Sequence, residues 1–314
     1  MTEPSAARPT GPAVADEPPG PALPLDASLL PYLVDPVDHG PLLPAPGGLR
    51  DPRRGVLYPV QDSVLALLAG EARSAPGSTG PAPVAGPAGP GGASEVTYDG
   101  VATWYDEVMQ DPQAHGPLTA ATRDLIEAEL GPGAGLVLDV ACGTGLSAVR
   151  IPTLGYQVLG VDLSADQLRI ARHRIPVVRA DAAALPLRTG SVAAVVTSFP
   201  VLPDQVAAAR EAYRVLAPRG VYVQANVHPV LNGSWSRRSS DGSVTVAGAY
   251  QEATATAPQR HATTIRGRVG STHLPLDAYL GAPLTAGFRL RTVREFSEYP
   301  GTLPTSLLTT WTKG

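Results

Sequence analysis

Three short apolar runs in the middle of the chain each carry an aspartate at or near their end: LVLDVA over 136–141, QVLGVD over 157–162 and PVVRAD over 176–181. Apolar runs of this length, without polar alternation, are strands buried on both faces, and segments of helical period separate them. Strands joined through helices must cross over, which predicts a parallel, doubly wound sheet. A helix over 117–130 (PLTAATRDLIEAEL) precedes the first strand, helical 145–153 follows it, and the helix SADQLRIARHR follows the second. Strand SVAAVVTSF, helix DQVAAAREAYRVL and strand GVYVQANV continue the alternation, and FRLRTVREF (288–296) and SLLTTWTK (306–313) finish the sheet with a pair suited to antiparallel addition. The predicted fold class is α/β: a doubly wound, mostly parallel sheet with a small N-terminal β-rich module.

Glycine and proline mark the boundaries. Residues 1–24 hold seven prolines and almost no apolar periodicity, so they are expected to be disordered. Residues 76–92 contain eleven Gly or Pro in seventeen positions, which places a linker over 73–94. The short apolar pieces of 25–72 form the module, and 95–314 forms the main domain. A module this small has little core of its own, so a protein partner or self-association through 25–72 is a further expectation.

The charge splits unevenly. Residues 1–94 carry nine acids against five arginines, whereas 95–314 carry nineteen acids and nineteen bases, so the net charge of −4 belongs to the N-terminal third. A neutral main domain lacks the basic excess of a nucleic-acid binder, although Arg169, Arg172, Arg174 and Arg179 cluster in sequence. The single lysine, Lys313, argues against Schiff-base chemistry, and the single cysteine, Cys142, excludes an internal disulfide. No apolar run reaches membrane-spanning length and the N-terminus has no leader pattern, which leads to a cytoplasmic expectation without membrane partners.

Chemistry concentrates around Asp139, Cys142, Gly143 and Gly145, where a strand runs into a glycine-rich turn. Read loosely, Gly143-x-Gly145-x-x-Ala148 also fits a dinucleotide fingerprint, with Asp162 as the ribose acid. Asp139 decides between them. A pyrophosphate beside its carboxylate would be repelled by about 4 kcal/mol at 4 Å and an effective dielectric of 20. A ligand carrying an ammonium and a sulfonium and no phosphate would be attracted.

With xDxACGTG followed by VDLS, residues 95–314 resemble class I S-adenosylmethionine-dependent methyltransferases of the Rossmann-like fold, nearest to those of quinone biosynthesis and small-molecule tailoring. The resemblance implies S-adenosylmethionine as cofactor, with Asp139, Ala141 and the Gly143 and Gly145 backbone at its methionine portion. It further implies Asp162 on the ribose hydroxyls, Leu163 beside the adenine, Asp181 and Ala182 on the adenine amino edge, Ser198 at the fourth strand end, and Tyr105 on a lid helix over the cofactor. Cys142 is expected to fill a small space rather than to act as a nucleophile.

The N-terminal runs LVDPVDHGPL (33–42) and LRDPRRGVLYPVQDSVLALLAGEAR (49–73) resemble the zinc-ribbon-like domain fused to, or activating, some methyltransferases. Its two CxxC pairs stand here as Asp35-x-x-Asp38 and Asp51-x-x-Arg54. Without thiolates a closed zinc site is not expected; a salt bridge such as Arg54 to Asp35 or Asp38 takes its place, and no metal site is predicted.

Where the family has an acid early in the fourth strand this chain has Ala193, and Ser198-Phe199-Pro200-Val201 replaces the Asn-Pro-Pro-Tyr signature of amino-group methylation. The expected reaction is direct methyl transfer to a small-molecule acceptor, aided by alignment and exclusion of water. The candidate acceptor elements lie in 228–280, where His273 and His228 are the candidate catalytic residues and His261, Trp235 and Tyr279 further lining candidates. An RNA methyltransferase and a cofactor-binding, non-catalytic partner protein are the alternative readings.

Overall fold

The computed structural model describes residues 23–75, 98–230, 236–239, 243–246, 248–259, 261–262, 264–297 and 302–314. The 1–22 segment, most of the expected linker and Trp235 lie outside the described residues. The N-terminal strands are β1 (Leu43–Ala45), β2 (Gly48–Asp51), β3 (Val56–Gln61), β4 (Val64–Ala66) and β5 (Arg73–Ser74), so strand structure continues two residues past position 72. There follow α1 (Ala102–Gln110), α2 (Gly116–Leu130), β6 (Leu136–Val140), β7 (Gln157–Asp162), α3 (Ala165–Ala171), β8 (Val177–Arg179), β9 (Val192–Ser198), α4 (Gln205–Val215) and β10 (Leu216–Val227). The remainder comprises β11 (Ser236–Arg238), β12 (Val244–Val246), β13 (Thr254–Thr256), α5 (Ile265–Val269), β14 (Ser271–His273), α6 (Leu276–Ala286), β15 (Phe288–Phe296) and β16 (Ser306–Lys313).

The central strands run in the order β8-β7-β6-β9-β10-β16-β15, with β6 to β10 parallel and β16 antiparallel to both of its neighbours. β6 is buried at every position, as a strand covered on both faces must be. Helix starts follow local chemistry. The Ser164 hydroxyl accepts from the Gln167 N–H and the Asp204 carboxylate from the Ala207 N–H, capping α3 and α4.

Two sequence expectations give way. Residues 145–153 form turns and a short 3₁₀ segment over Ile151–Leu154 rather than an α-helix, because Gly145 sits at φ +81° and Pro152 interrupts the ladder. Within 228–280, where SVTVAGAY and ATTIRGRV alternate like hairpin strands, β11 pairs with β12 and β13 with β14, but 265–269 is helical: Thr264 caps it by accepting from the Gly267 N–H.

The N-terminal strands extend the same sheet. β4 pairs parallel with β8 through Leu65↔Val178 and Ala66↔Arg179, and Leu67 N–H donates to the Arg179 carbonyl at 2.8 Å. Leu33, Leu49, Tyr58, Leu65 and Leu67 belong to one buried cluster with Leu138, Leu159, Val178 and Trp311, so the module shares its core with the main sheet. Asp35 and Asp51 each cap a tight turn: Asp35 accepts from Val37 N–H at 2.7 Å, and Asp51 from Arg53 N–H at 2.7 Å. Arg54 pairs with Asp35 at 2.7 Å, and Arg53 reaches Asp38 at 2.7 Å and Asp51 at 3.2 Å. The expected ion pair therefore occupies the place between the two turns.

Candidate functional site

The carboxyl ends of β8, β7, β6 and β9 open onto a cavity of about 430 Å³, the position where open parallel sheets bind ligands. Along this row the lining changes character. Asp181 and Ala182 follow β8, Asp162 and Leu163 end β7, Ala141 to Thr144 follow β6, and Phe199 to Leu202 follow β9. One side is thus acidic and polar, the other mainly apolar between Ser198 and Asp204. Ala255 of β13 and Thr272 of β14 cover the row, and Tyr98, Tyr105 and Met109 approach from α1 and the turn before it.

Asp162 is the best-fixed of these groups. Its Oδ2 accepts from Gly143 N–H at 2.9 Å and its Oδ1 from Ser164 N–H at 2.9 Å, tying the ends of β6 and β7 together. Burial raises its pKa, and the backbone donors act against that rise. Gly143 sits at φ +54°, where glycine carries no Cβ penalty, whereas Ala141 at +56° and Phe199 at +50° hold the same left-handed region at a cost. Both lie at strand-end turns on the cavity wall. Tyr98 and Tyr105 meet edge to face with centroids 5.2 Å apart, and burial pushes the Tyr105 hydroxyl up to about 12, so it remains a donor at neutral pH. Asp106 and Arg174 hold α1 down at 2.6 and 2.8 Å, and Arg174 also donates to the Thr144 carbonyl at 2.7 Å.

The cavity brings together eight of the sequence-predicted residues: Tyr105, Ala141, Gly143, Asp162, Leu163, Asp181, Ala182 and Ser198. Four others fall outside its lining. Asp139 stands inside β6, between Gly160 of β7 and Val196 of β9, fully buried with neither carboxylate oxygen partnered. Gly145 is turned to the end of α3, where an added Cβ would meet Ile175 at 3.3 Å. His273 alternates with Thr272, so it faces away from the cavity; its Nε2 lies 2.7 Å from the Tyr250 carbonyl. His228 is engaged at the far side of β10, with Nε2 2.8 Å from Glu295 and Nδ1 accepting from Val230 N–H at 3.3 Å. Neither histidine is placed to touch a ligand there. Among the further candidates, exposed His261 and buried Tyr279 are also outside the lining.

Gln167, Met109, Ala255, Thr272 and the Val201–Asp204 stretch are lining residues that sequence reading missed. Gln167 left a signal, a polar residue that shares the inner face of a helix with Leu168 and Ala171; its whole amide is buried and unpartnered. The unpartnered amide of Gln167, on the cavity wall, awaits a donor and an acceptor that a ligand or ordered water supplies. Among the described lining residues there is no lysine, arginine or histidine, while Asp162, Asp181 and Asp204 are present. A phosphate would meet three carboxylates and no cationic side chain, whereas a cationic, phosphate-free nucleoside suits that charge. Cys142 also lines the cavity; burial pushes its thiol well above its usual range, as an inert packing residue requires.

Residues 137–220, the stretch that builds this row of strand ends, match the family model described as a methyltransferase domain. The chain is 40% identical over 80 residues to the methyltransferase-named protein YqeM of Bacillus subtilis, covering 26% of this chain and 30% of that protein. It is 35% identical over 145 residues to the demethylmenaquinone methyltransferase of Mycolicibacterium gilvum, covering 44% of this chain and 62% of the relative. The matches thus span between under a third and under two thirds of these relatives' length. A solved Listeria monocytogenes structure assigned to the S-adenosylmethionine-dependent methyltransferases superposes with a TM-score of 0.51 at 21% identity, over 63% of this chain and 99% of that one. By matched segment, residues 137–220 carry the sequence of a methyltransferase domain, and the main body of the chain has the Rossmann-like fold of that Listeria structure.

Proposed function

We propose that the chain transfers a methyl group from S-adenosylmethionine to a small, largely apolar acceptor. The observation that carries this reading is the graded cavity: the Asp181 and Asp162 carboxylates at the β8 and β7 ends with the buried Gln167 amide beside them, and a mainly apolar wall, Phe199 to Pro203, between Ser198 and Asp204 at the β9 end. When bound, S-adenosylmethionine supplies a methyl carbon made electrophilic by its sulfonium. Asp162, held by two backbone N–H groups, is placed to accept from ribose hydroxyls, and Asp181 and Leu163 flank the base. The Tyr98–Tyr105 pair closes over that side and excludes water, while Phe199, Pro200, Val201 and Leu202 orient the acceptor. The curated relatives named demethylmenaquinone methyltransferase give a quinol-type acceptor as the first to assay.

With both histidines engaged away from the cavity, neither is read as a base for the acceptor. The N-terminal module is read as a zinc-ribbon-like domain whose metal is replaced by the Arg54–Asp35 and Arg53–Asp38–Asp51 pairs. Its apolar face is used within the chain, against β8, which favours service to its own methyltransferase domain over a separate partner. Calorimetry with S-adenosylmethionine is the test. Asp162→Asn keeps the shape and removes the charge, and is expected to weaken binding at least about ten-fold, the size of a hydrogen bond to a charged acceptor. Unchanged affinity in that variant would overturn the assignment.

A further inference from the structure

The N-terminal module touches the cofactor side of the cavity through one chain of contacts. Glu71 ends a 3₁₀ turn just after β4, and its Oε1 accepts from Arg179 Nη1 at 2.6 Å. Arg179 ends β8, and its Nε donates to the Leu163 carbonyl at 2.7 Å. Leu163 follows Asp162, and both line the cavity. Arg179 is itself fixed at its backbone from both sides, paired with Ala66 of β4 and Asp162 of β7. Its guanidinium is thus a strut between a module carboxylate and the turn that presents Asp162 and Leu163.

Without Glu71 the strut has another choice. Asp162 and Asp181 lie on the same edge of the sheet, and an arginine freed from its carboxylate would turn toward either, withdrawing its donor from the Leu163 carbonyl and neutralising a carboxylate meant for the ligand. The two side chains are only modestly exposed, at 19% and 28%, so water screens the pair weakly enough for direction to matter. We infer that Glu71 is a positioning residue for the cofactor site: it holds Arg179 on the Leu163 carbonyl, and so makes the N-terminal module a working part of the S-adenosylmethionine pocket. The module's place at the sheet edge then has a functional reason beyond covering β8. This inference rests on the methyltransferase reading for the identity of the ligand, but not for the contact itself.

Two measurements separate them. In calorimetry with S-adenosylmethionine, Glu71→Ala is expected to weaken binding about five-fold, within the range for contacting groups of one network. Adding Glu71→Ala to Arg179→Ala should cost nothing further, because the strut is already gone. Glu71→Gln keeps an acceptor of the same shape and should fall between wild type and Glu71→Ala; should the alanine variant fail to fold, it carries the comparison. Wild-type affinity in the Glu71 variants, or the same five-fold loss on top of Arg179→Ala, overturns the proposal. The second measurement uses no ligand: amide exchange over residues 162–166 in the cofactor-free protein should quicken in Glu71→Ala and Glu71→Gln, and unchanged exchange there refutes the strut even if the ligand is something else. Absence of S-adenosylmethionine binding by the wild type, with quickened exchange in the variants, would instead refute the methyltransferase reading and leave the strut standing.

Discussion

Arg54 lays one guanidinium nitrogen against both carboxylate oxygens of Asp35, at 2.8 and 2.7 Å, and donates to the Tyr58 hydroxyl at 3.0 Å, while that hydroxyl donates back to Asp35 at 3.0 Å. Asp35 is fully buried, so the triangle is closed to water on its acidic side. Removing Arg54 strands a buried charge, which costs far more than an exposed pair is worth. Arg54→Ala is expected to lower stability by about 3 kcal/mol in urea unfolding, and Arg54→Lys to recover only part of that because its compact, strongly hydrated ammonium costs more to bury than a guanidinium. A loss below about 1 kcal/mol, typical of an exposed pair, would contradict this.

The oxygens of Asp35, Asp38 and Asp51 all lie within 4.8 Å of one another, and Arg54 completes the fourth corner. The corner spacing suits four thiolates around a tetrahedral zinc, but the groups present are three hard carboxylates and a cation. The wild-type protein is expected to purify without stoichiometric zinc. Replacing all four positions with cysteine should restore about one zinc per chain by elemental analysis, with folding dependent on the metal. A wild type that holds zinc under the same conditions would overturn the ion-pair replacement.

Burial, and then the neighbouring Asp162 carboxylate, push the Asp139 carboxyl up to about 8. An aspartate in the unfolded chain titrates near about 3.9, so between about pH 4 and pH 8 the folded protein holds a proton that the unfolded chain has released. The sign follows: this group's contribution is intact below pH 4 and is lost as pH rises through about 8. Cofactor-free Asp139→Asn should therefore gain thermal stability on the wild type as pH rises from 5 to 8.5. Melting curves that stay parallel across that range would exclude a neutral Asp139.

Much of this was legible in the sequence for a physical reason. Strands buried on both faces, such as Leu136–Val140, and helices with side-chain caps, such as those begun by Ser164 and Asp204, are set by local chemistry, and so were the strand-end acids Asp162 and Asp181. What stayed hidden depends on contacts between distant segments. Nothing local to Val64–Ala66 says that it will pair with Val177–Arg179, more than a hundred positions on. Asp139 illustrates a finer limit: its place in the motif was plain, but one position along a strand separates a carboxylate facing the cavity from one buried inside the sheet.

The same alternation decides the roles of Thr272 and His273. In β14 successive side chains face opposite ways, and Thr272 is the one that lines the cavity, while His273 is bound to the Tyr250 carbonyl, whose hydroxyl in turn accepts from Leu276 N–H at 2.8 Å. His273 therefore fastens the cover. His273→Ala is expected to lower stability by about 1 to 2 kcal/mol, as loss of a buried hydrogen bond does, and to raise the acceptor KM, with the pH dependence of kcat unmoved. His273→Gln, which keeps a donor at a similar reach, should restore most of the KM. Thr272→Phe works on the other face: it fills the cavity from its cover and should raise the acceptor KM strongly while S-adenosylmethionine affinity holds. Loss of an acidic limb from the kcat profile in His273→Ala would reinstate the histidine as a base; an acceptor KM untouched by Thr272→Phe would move the acceptor site elsewhere.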